Sequence, residues 1–498
     1  MRKAIIFLII LCTLAVACQD RPRESTAPTL VPSPASKTGI RSQRPATSGS
    51  DLLPPSTPYA SAMPLPTPRS PLIEVYTVQP GDTLLGISLA YDVSVAELVA
   101  INGLESESAI IQVGQALQVP LNVSRTGPAE ILLPDSEVVY SPAYLDFDVA
   151  AFIREQGGYL SAYSELVNGV DTNAAEIVNR VARQYSVGPR VLLTLLEHYG
   201  GWVTAPYPPT YHPLGPANPY YEESFLLQLS WAANRVNGGY YGYKRDGSVA
   251  VRFRDESRAI VPAGLNAGTA GIQNILALNS NWDTWQEEME AFMATYRRLF
   301  GDPFARIFEP LVPIDLAQPP LRLPWETGRT FYYTGGPHAA YGHLSAWAAV
   351  DFAPPDVNGS CYYSQENVTA AADGRLFLGD TGEMYLDLDA DGNLQTGWVL
   401  LYLHVVARDD VTHGQLISVG TPLGYASCEG GVSNSSHLHL ARRYNGEWIA
   451  ADGPVPLVLS GWQAKAGPGQ YDGTMVRDGV TKTACECWDE ALNALPGE

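Results

Sequence analysis

Four of the chain's eight histidines fall in three short motifs of the C-terminal third: Gly335-Gly336-Pro337-His338, Tyr402-Leu403-His404 and His437-Leu438-His439. Nearby, Asp351 is the one acid in the apolar stretch Ala348-Ala349-Val350-Asp351-Phe352-Ala353. A carboxylate buried in such a strand is costly unless it meets a cation, and zinc is the cation this donor set suits. In an extended His-x-His segment both imidazoles point to one face, about 7 Å apart along the backbone. One can therefore bind metal while the other handles a proton. A catalytic zinc takes three protein ligands and keeps an open position for water, whose pKa falls to about 7. His338, Asp351 and His439 supply three such ligands.

In order, residue type and spacing, these motifs resemble the zinc endopeptidase family of lysostaphin, LytM domains and the beta-lytic enzymes, over roughly residues 318–463. The 13-residue step from His338 to Asp351 after Gly-Gly-Pro is similar to the beta-lytic branch; the lysostaphin branch spaces this pair by four. His343 competes as first ligand but lacks the Gly-Gly-Pro turn, and His413 reads as a loop residue. The resemblance implies an antiparallel β-rich domain with one zinc on His338, Asp351 and His439. It implies hydrolysis of peptide cross-links in peptidoglycan, with His437 accepting the proton of water. His404 would then stabilise the oxyanion or protonate the leaving amine. An insertion before His404, Leu386-Asp387-Leu388-Asp389-Ala390-Asp391-Gly392-Asn393, resembles the start of a calcium loop, but position twelve is Trp398 where Glu is needed. The preferred reading is a hairpin tipped by Asp391-Gly392, with Ca2+ at Asp387, Asp389 and Asp391 as the alternative.

These residues need a scaffold, and the composition bounds it. At 498 residues the chain suggests about three domains, and 46% hydrophobic content suffices for buried cores. A net charge of −21 opposes docking on a polyphosphate, so nucleic acid is excluded as a partner. Arg2 and Lys3 precede an apolar run, Ala4 to Ala17, too short for the ~20 residues of a spanning helix. It ends Leu14-Ala15-Val16-Ala17-Cys18, which resembles a bacterial lipoprotein signal over 1–18 and implies lipidation at Cys18 and anchoring to a membrane. Residues 19–73, about half Pro, Ser and Thr, read as a disordered tether.

Residues 74–121 contain Tyr76-Thr77-Val78-Gln79-Pro80-Gly81-Asp82-Thr83-Leu84, two short helical runs and Asn102-Gly103-Leu104, and close on Val119-Pro120. The alternation predicts strand, two helices and strand. The segment resembles a LysM module, a βααβ unit that binds glycans containing N-acetylglucosamine. Carried over by position, Gly81, Asp82, Thr83, Leu84, Asn102, Gly103 and Leu104 would line its groove. Residues 122–144 read as a linker, with Pro128, Pro134 and Pro142 and no sustained period.

Residues 145–317 read as α-helical. Asn173-Ala174-Ala175-Glu176 forms a capping box, Pro189 occupies a first-turn position, and Gly200-Gly201 is a stop. Further helices are expected at 222–237 and 282–299. Glu197 lies about 140° from the apolar stripe of its helix, so it faces solvent or a cleft. With Trp202, Tyr207, Tyr211, Tyr220 and Tyr221 after it, this region weakly resembles the lysozyme-like transglycosylase fold, in which such a Glu is the glycosidic acid. That chemistry needs a carboxyl kept protonated by burial, and the family's Ser after the Glu is His198 here.

Outside the signal there are four cysteines, so disulfides are expected in an exported chain. A Cys361–Cys428 bond would brace the strand carrying His404. Cys485 and Cys487 pair awkwardly with each other, and residues 464–498 read as an extension without a domain of its own. The expectation is a multidomain α+β protein: tether, LysM module, helical middle and metallopeptidase. Two rivals accompany it, a metal-free lipoprotein that activates wall amidases and a muramidase acting through Glu197.

Overall fold

The structure, a computed structural model, describes residues 64, 65, 67, 72–79, 82–91, 93–112, 114–357, 359–379 and 382–498. The expected export signal with Cys18, most of the tether and Gly81 lie outside these residues.

The first strand begins at Leu72, slightly before the expected boundary, and pairs antiparallel with Ala116–Leu121. Between them lie helices Leu84–Tyr91 and Val95–Asn102. The second helix starts because Ser94 and Glu97 form a reciprocal capping box, and it stops at Gly103 in the left-handed conformation (φ 60°). Leu84, Ile87, Leu98, Leu117 and Val119 make the small core.

The segment expected as a linker is largely folded. Arg125 to Gly127 runs beside Arg258–Val261, with Ile260 hydrogen-bonded to Arg125 and Gly127. Leu132, Leu133, Val138 and Val139 are buried in the helical core, and Tyr144 is buried as well. The prolines hid apolar pairs that were core-forming all along.

The middle region is mainly helical, with two short hairpins, Ser164–Val167 with Val170–Asn173 and Val249–Arg252 with Arg258–Val261. Asn173 and Glu176 cap the helix Ala174–Tyr185 as expected. Pro189 opens the helix Pro189–Gly200, which Gly201 ends at φ 65°. The expected helices appear as Phe225–Asp246 and Trp285–Phe300. Ala267–Asn279 and Val149–Gln156 were not expected.

The last region is an antiparallel sheet with, in order, Leu416–Ile417, Gly374–Leu378, Glu383–Asp387, Trp398–Leu403, Leu438–Tyr444, Ala349–Ala353, Thr330–His338 and Ala494–Pro496. Trp398–Leu403 is buried at every position and reads as one apolar run, because both sheet faces are covered. Val399, Leu401 and Leu403 pack with the helical region, and Leu400 and Tyr402 with the sheet's own core. Truncating the fully buried Leu401 to Ala would cost about 2–5 kcal/mol. His439 lies between Leu438 and Leu440 of the sheet's own core, so by alternation it points to the face shared with the helices.

Residues 464–498 are not a mere extension. Their last strand pairs with Thr330 to Tyr332 at the sheet edge, and Trp462–Ala466 pairs with Gly473–Arg477. Cys361 and Cys428 are disulfide-bonded as expected. Cys485 and Cys487, expected to pair poorly, are bonded to each other. The loop Leu388 to Gly397 between two strands is too long for the expected two-residue tip at Asp391-Gly392.

Candidate metal centre

Strand register brings the three expected ligands together. Asp351 sits opposite His439 on one side and Gly335 on the other. Register shifts along Thr330–His338 place His338, not Pro337, opposite Ala349. That extra residue turns the His338 ring onto the face of Asp351, as a β-bulge does. Gly335 is needed for the same reason: a Cβ there would stand 2.5 Å from Asp351 Oδ2.

His338 Nε2 lies 3.0 Å from His439 Nδ1 and 3.3 Å from Asp351 Oδ1, and His439 Nδ1 lies 3.2 Å from that oxygen. All three residues are buried. The remote ring nitrogens face carbonyls, His338 Nδ1 at 2.8 Å from Gly336 O and His439 Nε2 at 3.0 Å from Ala340 O. A carbonyl only accepts, so each of those nitrogens carries the proton. The inward nitrogens therefore present lone pairs. Among the described residues, Asp351 Oδ1 is buried with no hydrogen-bond donor. Three lone pairs converge on one point with no proton between them, an arrangement that calls for a cation. Tetrahedral zinc with bonds of about 2.0–2.1 Å separates its ligand atoms by roughly 3.3 Å, close to the observed spacings. The residues fit the metal, and the carbonyls behind the rings are the orienting partners such ligands require.

His404 and His437 flank this point, their ring centroids 4.6 Å apart. His437 Nε2 is 3.7 Å from Asp351 Oδ1, and its Nδ1 donates to Ser435 O at 2.8 Å. His404 Nδ1 donates to Glu429 O at 2.8 Å. His404 follows the strand Trp398–Leu403 at φ 62°, a left-handed backbone that costs about 1–2 kcal/mol. The Ser427 N–H and hydroxyl both donate to its carbonyl, at 2.7 and 3.1 Å, and hold that turn. Burial, then the neighbouring His437 and His439, pushes the His404 imidazole down to about 3. Burial likewise lowers His439.

Sequence reasoning missed Tyr471. Its ring stacks on His338, centroids 4.2 Å apart, and its carbonyl accepts from Gly336 N–H at 2.7 Å. The run Gly467-Pro468-Gly469-Gln470-Tyr471-Asp472-Gly473 is a clear loop signal, and an aromatic at its tip could have marked it. His343 is exposed and outside the ligand cluster, and His413 is exposed near Leu378.

Glu197 is corrected. It faces neither solvent nor a cleft but is buried, accepting from Val203 N–H and Thr204 N–H at 3.0 Å each, the Thr204 hydroxyl at 2.6 Å and Arg298 at 2.8 Å. Burial pushes its carboxyl up, but the bonds from Thr204 and Arg298 outweigh this and hold it lower than usual. A glycosidic acid needs the opposite shift.

The LysM groove residues are mostly committed internally. Leu84 is core. Asp82 accepts from the Tyr76 hydroxyl and Gln79 N–H, Thr83 from Gly86 N–H, and the Asn102 amide ties Leu98 to Gln118. Leu104 packs on the core and Gly103 is the helix cap. Asp387, Asp389 and Asp391 do cluster. Asp387 is already satisfied by Ala390 and Gly392 N–H, and Asp391 by Asn393 N–H and Thr396, so calcium finds no support.

Comparison with known proteins finds two domain matches along the chain. Residues 76–120 match the LysM domain and residues 131–314 the LasA N-terminal domain. Protease LasA of Pseudomonas aeruginosa (strain UCBPP-PA14) is 27% identical over 339 residues, 63% of this chain and 75% of that protein. Protease LasA of strain PAO1 is 26% identical over 355 residues, 66% and 79%. Among solved structures, the deep-sea metalloprotease pseudoalterin aligns at 22% identity and TM-score 0.27 over 33% of this chain and 94% of its own. The lysostaphin catalytic domain of Staphylococcus simulans aligns at 18% and 0.17 over 26% and 89%. The chain is thus a homologue of Protease LasA that carries a LysM domain ahead of a LasA N-terminal domain.

Proposed function

We propose that this protein is an extracytoplasmic, zinc-dependent endopeptidase that cuts peptide cross-links of peptidoglycan, while its LysM domain holds the glycan. The observation that carries the reading is the meeting of Asp351 Oδ1, His338 Nε2 and His439 Nδ1 with no proton between them. Homology to a named protease supports peptidase chemistry, and the LysM match supports wall targeting. Lipidation at Cys18 would tether the enzyme to its membrane.

A zinc ion on these three residues supplies a Lewis acid for the scissile carbonyl and a water acidified to near neutral pH. The chain's own groups do the rest. His437, its Nδ1 proton committed to Ser435, offers Nε2 as the base that takes the proton of water. His404 is held in the same tautomer by Glu429, so as a neutral ring it accepts rather than donates. Burial keeps the resting ring neutral, so it can donate to the oxyanion or the leaving amine only a proton passed on during the reaction, such as the one His437 takes from water. Tyr471 restrains the His338 ring by stacking.

The full chain should be incubated with purified peptidoglycan. Release of new amino groups without new reducing ends, blocked by a zinc chelator and restored by zinc, is the expected result. A metal-free protein that cuts nothing but stimulates an added amidase would replace this reading with the regulator.

A further inference from the structure

The long step from His338 to Asp351 encloses a loop, 339–348, whose neighbours lie largely in the helical region. Tyr341 packs edge-on against Tyr185, centroids 5.0 Å apart. Asn234 Oδ1 accepts from His343 and Leu344 N–H at 3.1 Å each. Gly342 (φ 69°) lets the two regions approach, since a Cβ there would stand 2.6 Å from Asn234 Oδ1 and 2.8 Å from Tyr185. The same loop provides Ala340 O, which holds the His439 ring.

The far end of Tyr341 reaches Glu383. This carboxylate is buried at the start of an apolar strand. It accepts from the Tyr341 hydroxyl at 3.0 Å, the Tyr385 hydroxyl at 3.1 Å and Gln184 Nε2 of the helical region. Its neighbour Gly382 packs against the Glu429 carbonyl, where a Cβ would stand 2.5 Å away, and that carbonyl orients His404. Gly382 O also accepts from Val405 N–H at 3.1 Å, just after His404. A buried acid in a strand is expensive unless fully bonded. Here its bonds join the helical region to the backbone groups that orient a metal ligand and a catalytic histidine.

We propose that Tyr341 and Glu383, tied to the helical region through Gln184 and Asn234, are positioning residues of the metal centre. The LasA N-terminal-type region thereby sets how tightly His439 is held for the metal. This rests on the zinc reading above. Removing a partner directly bonded to a ligand costs about 10–100-fold in metal affinity, and Tyr341 acts one residue further away.

The test uses the full-length protein, with zinc affinity read by chelator competition and ligand geometry by the visible spectrum of the cobalt-substituted form. Tyr341→Phe and Gln184→Leu should each weaken zinc by about three- to tenfold and shift the cobalt bands. Arg298→Ala, which loosens the same region at Glu197, should leave both unchanged. The proposal fails if the first two variants retain wild-type affinity and spectrum, or if Arg298→Ala weakens zinc equally. If Tyr341→Phe does not fold, Gln184→Leu decides. A wild-type protein that binds no zinc would instead overturn the reading of the site itself.

Discussion

Glu197 and Asp351 are both buried carboxylates at positions where sequence reasoning looked for chemistry, one in the helical region and one in the sheet. Their surroundings are opposite. Glu197 meets two backbone N–H groups, a hydroxyl and a guanidinium. Asp351 Oδ1 meets two imidazole lone pairs and no donor. Burial is shared, so burial does not distinguish them; the balance of donors and acceptors does. A satisfied carboxylate clamps a loop, whereas one left facing other acceptors is waiting for a positive ion.

The contrast breaks most visibly at the ligands. His439→Ala or Asp351→Asn should abolish zinc binding and lower cross-link hydrolysis by about 10³-fold or more, the several kcal/mol that metal activation supplies. Metal analysis and amino-group release on the same sample check both. His404→Ala and His437→Ala should retain zinc yet lose about 10²–10⁴-fold in rate, and loss of metal in either would move that residue into the ligand set.

A smaller effect is expected at the disulfide. Cys428 precedes Glu429, whose carbonyl holds His404, and Cys361 precedes Tyr362, which is bonded to Ser436 beside His437. Cys361→Ser should keep zinc but slow hydrolysis by about 10- to 100-fold as the two rings lose alignment.

Least of all should change at Glu197. Glu197→Gln should leave hydrolysis untouched at low temperature and cost about 1–3 kcal/mol of stability, read by denaturant unfolding. The folded carboxyl lies below its unfolded value near 4.5. Its contribution is therefore full above pH 4.5 and disappears as pH falls through the lower folded value. The variant should show a shallower acid-side loss of stability; an equally steep one would assign the effect to other groups.

The candidate ligands His338, Asp351 and His439 were legible because chemistry fixes their types. An acid isolated in Ala349–Ala353 and a His-x-His pair leave few alternatives, and His338 was distinguished from His343 by the preceding Gly-Gly-Pro, which lies in a bulged strand and whose Gly335 is required by the Asp351 side chain. The capping box at Asn173 was readable in the same local way. What escaped depends on contacts between distant segments. Tyr471 lies over a hundred positions from the ring it stacks on. The helical wheel placed Glu197 toward solvent or a cleft because its partners, Thr204 and Arg298, come from other segments. The prolines of 122–144 outweighed Leu132, Leu133, Val138 and Val139, whose burial requires the helices they meet. The close Cys485–Cys487 bond likewise ran against spacing.

Zinc analysis of the intact wild-type protein, before and after chelation, tests the central claim most directly. The account predicts one ion per chain, cross-link hydrolysis that vanishes with its removal, and recovery of both when zinc is returned. Protein that remains metal-free in excess zinc, or that cuts equally well after complete removal of the ion, would contradict it.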